Sequence, residues 1–143
     1  MRVGDVMNVR LVSVRPEDTV LVAINRMKEE NVGAVAVCNG PRLVGIFTER
    51  DVLRLASEGR TFRDVTVEVV MTPRPVTVDP DVSIVEAARL MGEYRIRHLP
   101  VVEGENVHGM VGIRDVLGRL VELVWSSHDA DARETARELL KRR

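Results

Sequence analysis

Aromatic side chains are nearly absent: two Phe, one Tyr and one Trp make up 3% of 143 residues. Any core must therefore be filled by Val, Leu, Ile, Ala and Met, within an ordinary apolar fraction of 45%. Cysteine is reduced to Cys38, so neither an intrachain disulfide nor a thiolate zinc site can form. Its place in the apolar run Ala34-Val35-Ala36-Val37-Cys38 suits a buried structural thiol better than a nucleophile. Of 21 basic residues only Lys28 and Lys141 are lysine. Arginine suits planar, bidentate contacts to anions, yet such a skew reads first as genome composition or thermal adaptation. Neither sign of charge is in excess: the net charge of −1 gives no reason to expect nucleic acid or an anionic membrane as partner. No run of 18 apolar residues is present, so no membrane span is expected. Arg2, Asp5, Arg10, Arg15 and Asp18 interrupt the first twenty residues, which do not read as a signal peptide, and the expected location is cytoplasmic. No Ser-His-Asp or Cys-His arrangement and no metal-ligand spacing stands out, so neither a catalytic residue nor a metal site is expected.

What the chain does have is an internal duplication: residues 3–53 recur without a gap as 67–117. Val3, Val6 and Met7 match Val67, Val70 and Met71; Val12, Val14 and Pro16 match Val76, Val78 and Pro80. Ala23, Met27 and Val37 match Ala87, Met91 and Val101, and Arg50-Asp51-Val52-Leu53 matches Arg114-Asp115-Val116-Leu117. Each copy opens with a short alternating run, Leu11–Val14 or Pro75–Val78, that predicts a strand. The stripe Val20, Ala23, Ile24, Met27 and its copy Ile84, Ala87, Ala88, Met91 predict amphipathic helices. Thr19 is a candidate cap for the first, and Ser83 with Glu86 predicts a capping box for the second. Strands follow at Ala34–Cys38, Leu43–Phe47, His98–Val102 and Val107–Val111, with Asn39-Gly40 as a hairpin turn. A further helix begins near Thr48 and near Gly112, so each copy is β-α-β-β-α.

A half of this size is marginal alone, which predicts two copies facing each other around one pseudo-two-fold axis. The expected division is a first repeat over 3–58, a second over 67–125 and a helical tail over 126–143. Residues 55–66 read as a polar connector, and Ser127 or Asp129 as the cap of a last helix. That helix either lies on the domain or makes a dimer contact.

The segment Gly45-Ile46-Phe47-Thr48-Glu49-Arg50-Asp51 ends a strand and opens a helix. Helix-start N–H groups, Thr48 and Arg50 suit a phosphate, and Asp51 suits a pair of ribose hydroxyls. Thr48 and Asp51 fit a capping box equally well. The second copy, Gly109 to Asp115, loses the hydroxyl yet keeps Arg114-Asp115, which tilts the balance towards a ligand role.

With Val70-Met71-Thr72-Pro73 and Arg95-Ile96-Arg97-His98-Leu99-Pro100-Val101-Val102, this duplicated order resembles a tandem cystathionine-β-synthase (CBS) domain pair over about residues 3–118. The resemblance implies an α/β (α+β) fold, two pseudo-symmetric repeats packed sheet to sheet, plus a C-terminal helix. It also implies a stand-alone regulatory module that binds adenosine-containing ligands in two clefts and forms homodimers. By position, the first cleft takes Ser13, Pro16, Gly33, Ala34, Val35, Ala36, Thr48, Arg50 and Asp51. The second takes Thr77, Pro80, Arg97, His98, Leu99, Pro100, Gly112, Arg114 and Asp115. His98 fits either a structural strand position or a contact to negative charge. The expected ligand is AMP, ADP or ATP, with S-adenosylmethionine and NAD behind them, and the binding signal passes to a protein partner. The competing expectation is an assembly module with vestigial clefts, supported by Gly112 and by the tail. Nucleic-acid binding through arginine is a third, opposed by the net charge.

Overall fold

The structure, a computed structural model, describes residues 1–126 and 130–141. The proposed caps Ser127 and Asp129, with His128, fall outside the described residues. The elements are α1 (Val3–Val6), β1 (Ser13–Val14), α2 (Val20–Glu30), β2 (Ala34–Asn39), β3 (Arg42–Thr48), α3 (Glu49–Ser57), α4 (Val67–Val70), β4 (Thr72–Pro73), α5 (Ile84–Tyr94), β5 (His98–Glu103), β6 (Asn106–Gly112), α6 (Ile113–Trp125) and α7 (Ala130–Lys141).

Both amphipathic helices form where their stripes predict. Val20, Ala23 and Met27 of α2, and Ile84, Ala87 and Met91 of α5, are buried. Thr19 Oγ1 accepts from the Val22 N–H at 3.2 Å, and Ser83 Oγ from the Glu86 N–H at 3.1 Å. The expected capping box at Ser83 is only half made, because the Glu86 carboxylate turns to Arg89 instead (2.6 and 2.9 Å). Ion pairing to a neighbour one turn on outcompetes the reach back to the cap. The β2–β3 turn also sits one residue later than predicted. Asn39 pairs with Arg42, leaving Gly40-Pro41 as the loop, with Gly40 at φ +57°. Gly104-Glu105 repeats this between β5 and β6, with Gly104 at φ +63°.

The strands connect in the order β1-β2-β3-β6-β5, with β4 beside β3. β3 and β6 meet only where Arg42 faces Asn106, at the hairpin tips. The two halves of the sheet face each other from there. Val35, Val37 and Phe47 turn towards α2 and α3, in a core with Val14, Val20, Ala23, Met27 and Leu55. Ala34, Ala36 and Ile46 turn the other way and are buried all the same, outside that core and in the layer between the sheets. The two-repeat, sheet-on-sheet architecture predicted above is the one observed.

The start of each copy, however, packs on the other copy's core. Val3, with Val6 and Met7, belongs to the second cluster, around Ile84, Leu99, Val101, Val111 and Val116. The Val3 N–H donates to the Val82 carbonyl and the Gly4 N–H to that of Pro80, both at 2.8 Å. Symmetrically, Val67 and Val70 belong to the first cluster, and the Val67 N–H donates to Asp18 O at 2.8 Å. The exchange explains why the predicted opening strands shrink. Leu11–Val14 keeps two strand residues, Pro75–Val78 keeps one parallel bridge, Val78 to Val101, and Thr72–Pro73 pairs with β3 instead. The connector over 55–66 is less polar in effect than in composition. Leu55 is buried, Phe62 and Val65 pack on the first core, and their carbonyls accept from Leu21 and Val20. Beyond α6, α7 packs back on it, with the Arg137 guanidinium 4.8 Å from the centre of the Trp125 ring. The chain's own α6 is thus a partner of the tail.

Candidate functional site

Strand pairing decides which side chains share the layer between the sheets. Ser13 pairs with Ala36, Ala36 with Ile46 and Ala34 with Thr48, so these five lie on one face. His98 pairs with Gly112 and Pro100 with Met110, forming the corresponding face of the second half. Val35 and Leu99, expected at the ligand, stand on the opposite faces, fully buried in the two helix-side cores. Alternation along a strand leaves only their backbone to the layer. Pro16 and Pro80 are held against the exchanged segments, their carbonyls accepting from Glu68 (3.0 Å) and Gly4 (2.8 Å). Thr77 is half-buried one residue before the Val78 bridge. Ser13 lines a polar cavity of about 480 Å³ with Arg15, Asp18, Arg26 and Asn39; Thr48 and Asp51 are not among its walls.

At the start of α3, Asp51 Oδ2 accepts from the Thr48 N–H at 2.9 Å and from its hydroxyl at 3.3 Å. Oδ1 accepts from Arg54 at 3.3 Å. Thr48 therefore donates to the carboxylate instead of accepting from the helix. At the start of α6, Asp115 Oδ2 accepts from the Gly112 N–H at 3.2 Å. This corrects an inference from the sequence. A carboxylate that lacks its hydroxyl partner still caps, because the reciprocal bond goes to backbone N–H and needs no side chain at the cap. Retention of Asp115 is accounted for without a ligand.

Each of these helices is also tied to the strand beside it. The Glu49 N–H donates to Gly33 O at 3.0 Å, and the Ile113 N–H to Arg97 O at 2.8 Å. Contacts across the axis come from the first turn of α3. Arg50 Nη1 donates to the carbonyl of Arg95 at 3.1 Å. Arg95 ends α5 with φ +54°, as Asn31 ends α2 with φ +53°. Glu49 is the strongest charge acting on His98, followed by Arg97 and Asp115. Burial dominates that histidine and pushes its pKa down, against the pull of Glu49 and with that of Arg97. The two residue sets assigned separately from the sequence are therefore brought together: α3 of the first repeat meets residues 95–98 of the second. Glu49 and Arg95 were missed. Reading position 49 against its copy, Ile113, is the signal that finds Glu49.

Burial raises the pKa of the Cys38 thiol, which keeps it protonated and unreactive. Among the described residues no three His, Cys, Asp or Glu side chains could hold a metal ion together. No helix among them is long and apolar enough to cross a membrane.

Residues 3–58 and 63–122 each match the model of the CBS domain. The chain is 36% identical over 115 residues to the CBS domain-containing protein YhcV of Bacillus subtilis, spanning 80% of this chain and 81% of that one. It is 38% identical over 110 residues to inosine-5′-monophosphate dehydrogenase of Korarchaeum cryptofilum, spanning 76% of this chain but only 22% of that enzyme. A CBS-domain protein from Burkholderia ambifaria MC40-6 superposes with a TM-score of 0.81 at 30% identity, covering 90% of this chain and all of that one. CBSX2, solved in complex with AMP, gives 0.75 at 29% identity, covering 85% and 97%.

Proposed function

The chain belongs to the CBS-domain family and carries two such domains in tandem, and from that premise we propose a non-catalytic regulatory module that binds an adenine nucleotide between its repeats. Binding changes the arrangement of the repeats, and a protein partner reads the change. A ligand drives such a change only through its difference in affinity for the two arrangements. The observation that carries this reading is the contact across the axis, where Arg50 of one repeat reaches the Arg95 carbonyl of the other. A phosphate offered there competes directly for a guanidinium that joins the repeats. The AMP held by CBSX2 supports AMP, ADP or ATP as the ligand class. Thr48, Arg50, Arg97, His98 and Arg114 take the phosphate, and Asp51 and Asp115 the ribose. The division into repeats over 3–58 and 67–125 with a tail over 126–143 belongs to the same proposal, as does a cytoplasmic location. So does a homodimer, for which Leu53 and its repeat counterpart Leu117 are exposed apolar side chains on α3 and α6.

A protein-interaction module is the second reading. Both cap carboxylates are already satisfied by their own helix turns, and Leu123 and Trp125 of α6 are exposed. Thermal unfolding with excess AMP, ADP, ATP, NAD and S-adenosylmethionine separates the two, since a ligand of the folded state raises the midpoint. Asp51→Ala or Asp115→Ala, whichever stands at an occupied cleft, weakens nucleotide binding there by about 1–3 kcal/mol, the worth of a charge-assisted hydrogen bond. A flat response to all five compounds leaves the interaction module.

A further inference from the structure

Three pairs of equivalent positions at the axis differ in one electrostatic direction. Arg97 precedes β5 and His98 opens it, where Gly33 precedes β2 and Ala34 opens it. Glu49 opens α3, where Ile113 opens α6. The first copy thus lacks both groups that meet negative charge and adds a carboxylate of its own. That carboxylate lies against Gly33: a Cβ built there would collide with Glu49 Oε1 and crowd its Cδ at 3.0 Å. The fold does not require the acid, because Asp51 already caps the helix and Ile113 serves at the equivalent place. The Glu49 side chain has neither a hydrogen bond nor an ion pair with any described residue, and the Arg97 guanidinium is equally untaken.

Building on the nucleotide-binding reading, we infer that Glu49 acts as a resident anion: it closes the Gly33–Ala34 side of the axis to phosphate and leaves one phosphate-accepting site per chain, at Arg97–His98. A phosphate entering beside Gly33 meets a like charge with no strand-borne cation to offset it. On the other side the same carboxylate meets a histidine whose protonated form it favours, with Arg97 beside that histidine. The internal symmetry that provides two equivalent places is thereby reduced to single occupancy by charge.

Calorimetric titration of the full chain with AMP tests this. The wild type binds one AMP per chain. Glu49→Gln, an exposed and nearly isosteric change, adds a second, weaker site. Arg97→Gln weakens the original site by about tenfold, as expected on losing a charge-assisted contact. Two AMP per wild-type chain, or an unchanged single site in Glu49→Gln, overturns the inference while nucleotide binding stands. Absence of binding by both proteins when AMP, ADP and ATP are each titrated, with each protein still unfolding cooperatively, removes the nucleotide reading and this inference together.

Discussion

Gly45 and Gly109 occupy the same place in the two copies, and the exchanged segments explain both. A Cβ on Gly109 would lie 2.8 Å from the Asn8 carbonyl oxygen and 3.0 Å from Met7 Sδ. One on Gly45 would overlap Met71 Sδ and stand 3.0 Å from the Thr72 carbonyl. Backbone cannot step aside as a side chain can, so Gly109→Ala destabilises by about 1–3 kcal/mol, measured as a lower urea midpoint. Gly92 and Gly118 provide the contrast: both are helical and have nothing within 4 Å of an added Cβ. Alanine at either raises stability by about 0.5–1 kcal/mol. His98 supplies the pH dependence. Its pKa is depressed on folding, chiefly by burial, so below about pH 6.5 the unfolded chain binds more protons than the native one. Its contribution to stability is present above that pH and lost as the pH falls towards the folded pKa, with Glu49, Arg97 and Asp115 facing the ring. Urea midpoints between about pH 7.5 and 5 should fall more steeply for the wild type than for His98→Gln; equal slopes would remove this role.

The helices were the most legible elements, because spacing, cap and C-terminal residue all act within one or two turns. Ser83→Ala should cost about 1 kcal/mol, the worth of a lost N-cap acceptor, whereas Glu86→Gln should leave the cap intact because Glu86 does not close the box. Equal losses in urea unfolding for the two variants would contradict this division. Strands were less legible at their ends. Ser13–Val14 and Thr72–Pro73 owe their pairing to neighbours far along the chain, and local alternation cannot specify a partner. The start of α3 shows the same limit at the candidate site. Thr48 and Asp51 were readable as a pair, but the direction of their hydrogen bond and the reach of Arg50 to Arg95 were not.

For the molecule as a whole, the sequence period and the packing unit are out of phase. Residues 3–58 lack Val67 and Val70, which lie inside the first core, and carry Val3, which belongs to the second. A fragment of residues 3–58 should therefore show no cooperative urea transition, whereas 9–73, which contains the whole first core, should show one of low stability. Comparable folding of the two fragments would mean that the exchange contributes little. Each half needs the other's opening segment, which couples the repeats through their cores as well as through the cleft.

The residues by themselves determined the duplication, the β-α-β-β-α order, the helices with their caps, and the pairing of Arg50-Asp51 with Arg114-Asp115. All of these rest on periodicity, local hydrogen bonding or comparison of one copy with the other. Only the tertiary structure decided that the opening segments are exchanged and that Val35 and Leu99 turn to the helix side. It also decided that Glu49 and Arg50 stand before the strand start of the opposite repeat. Those facts depend on register and on which sheet faces which. Both are set by burying two marginal apolar faces against each other, a condition on the whole chain that no short stretch of it contains.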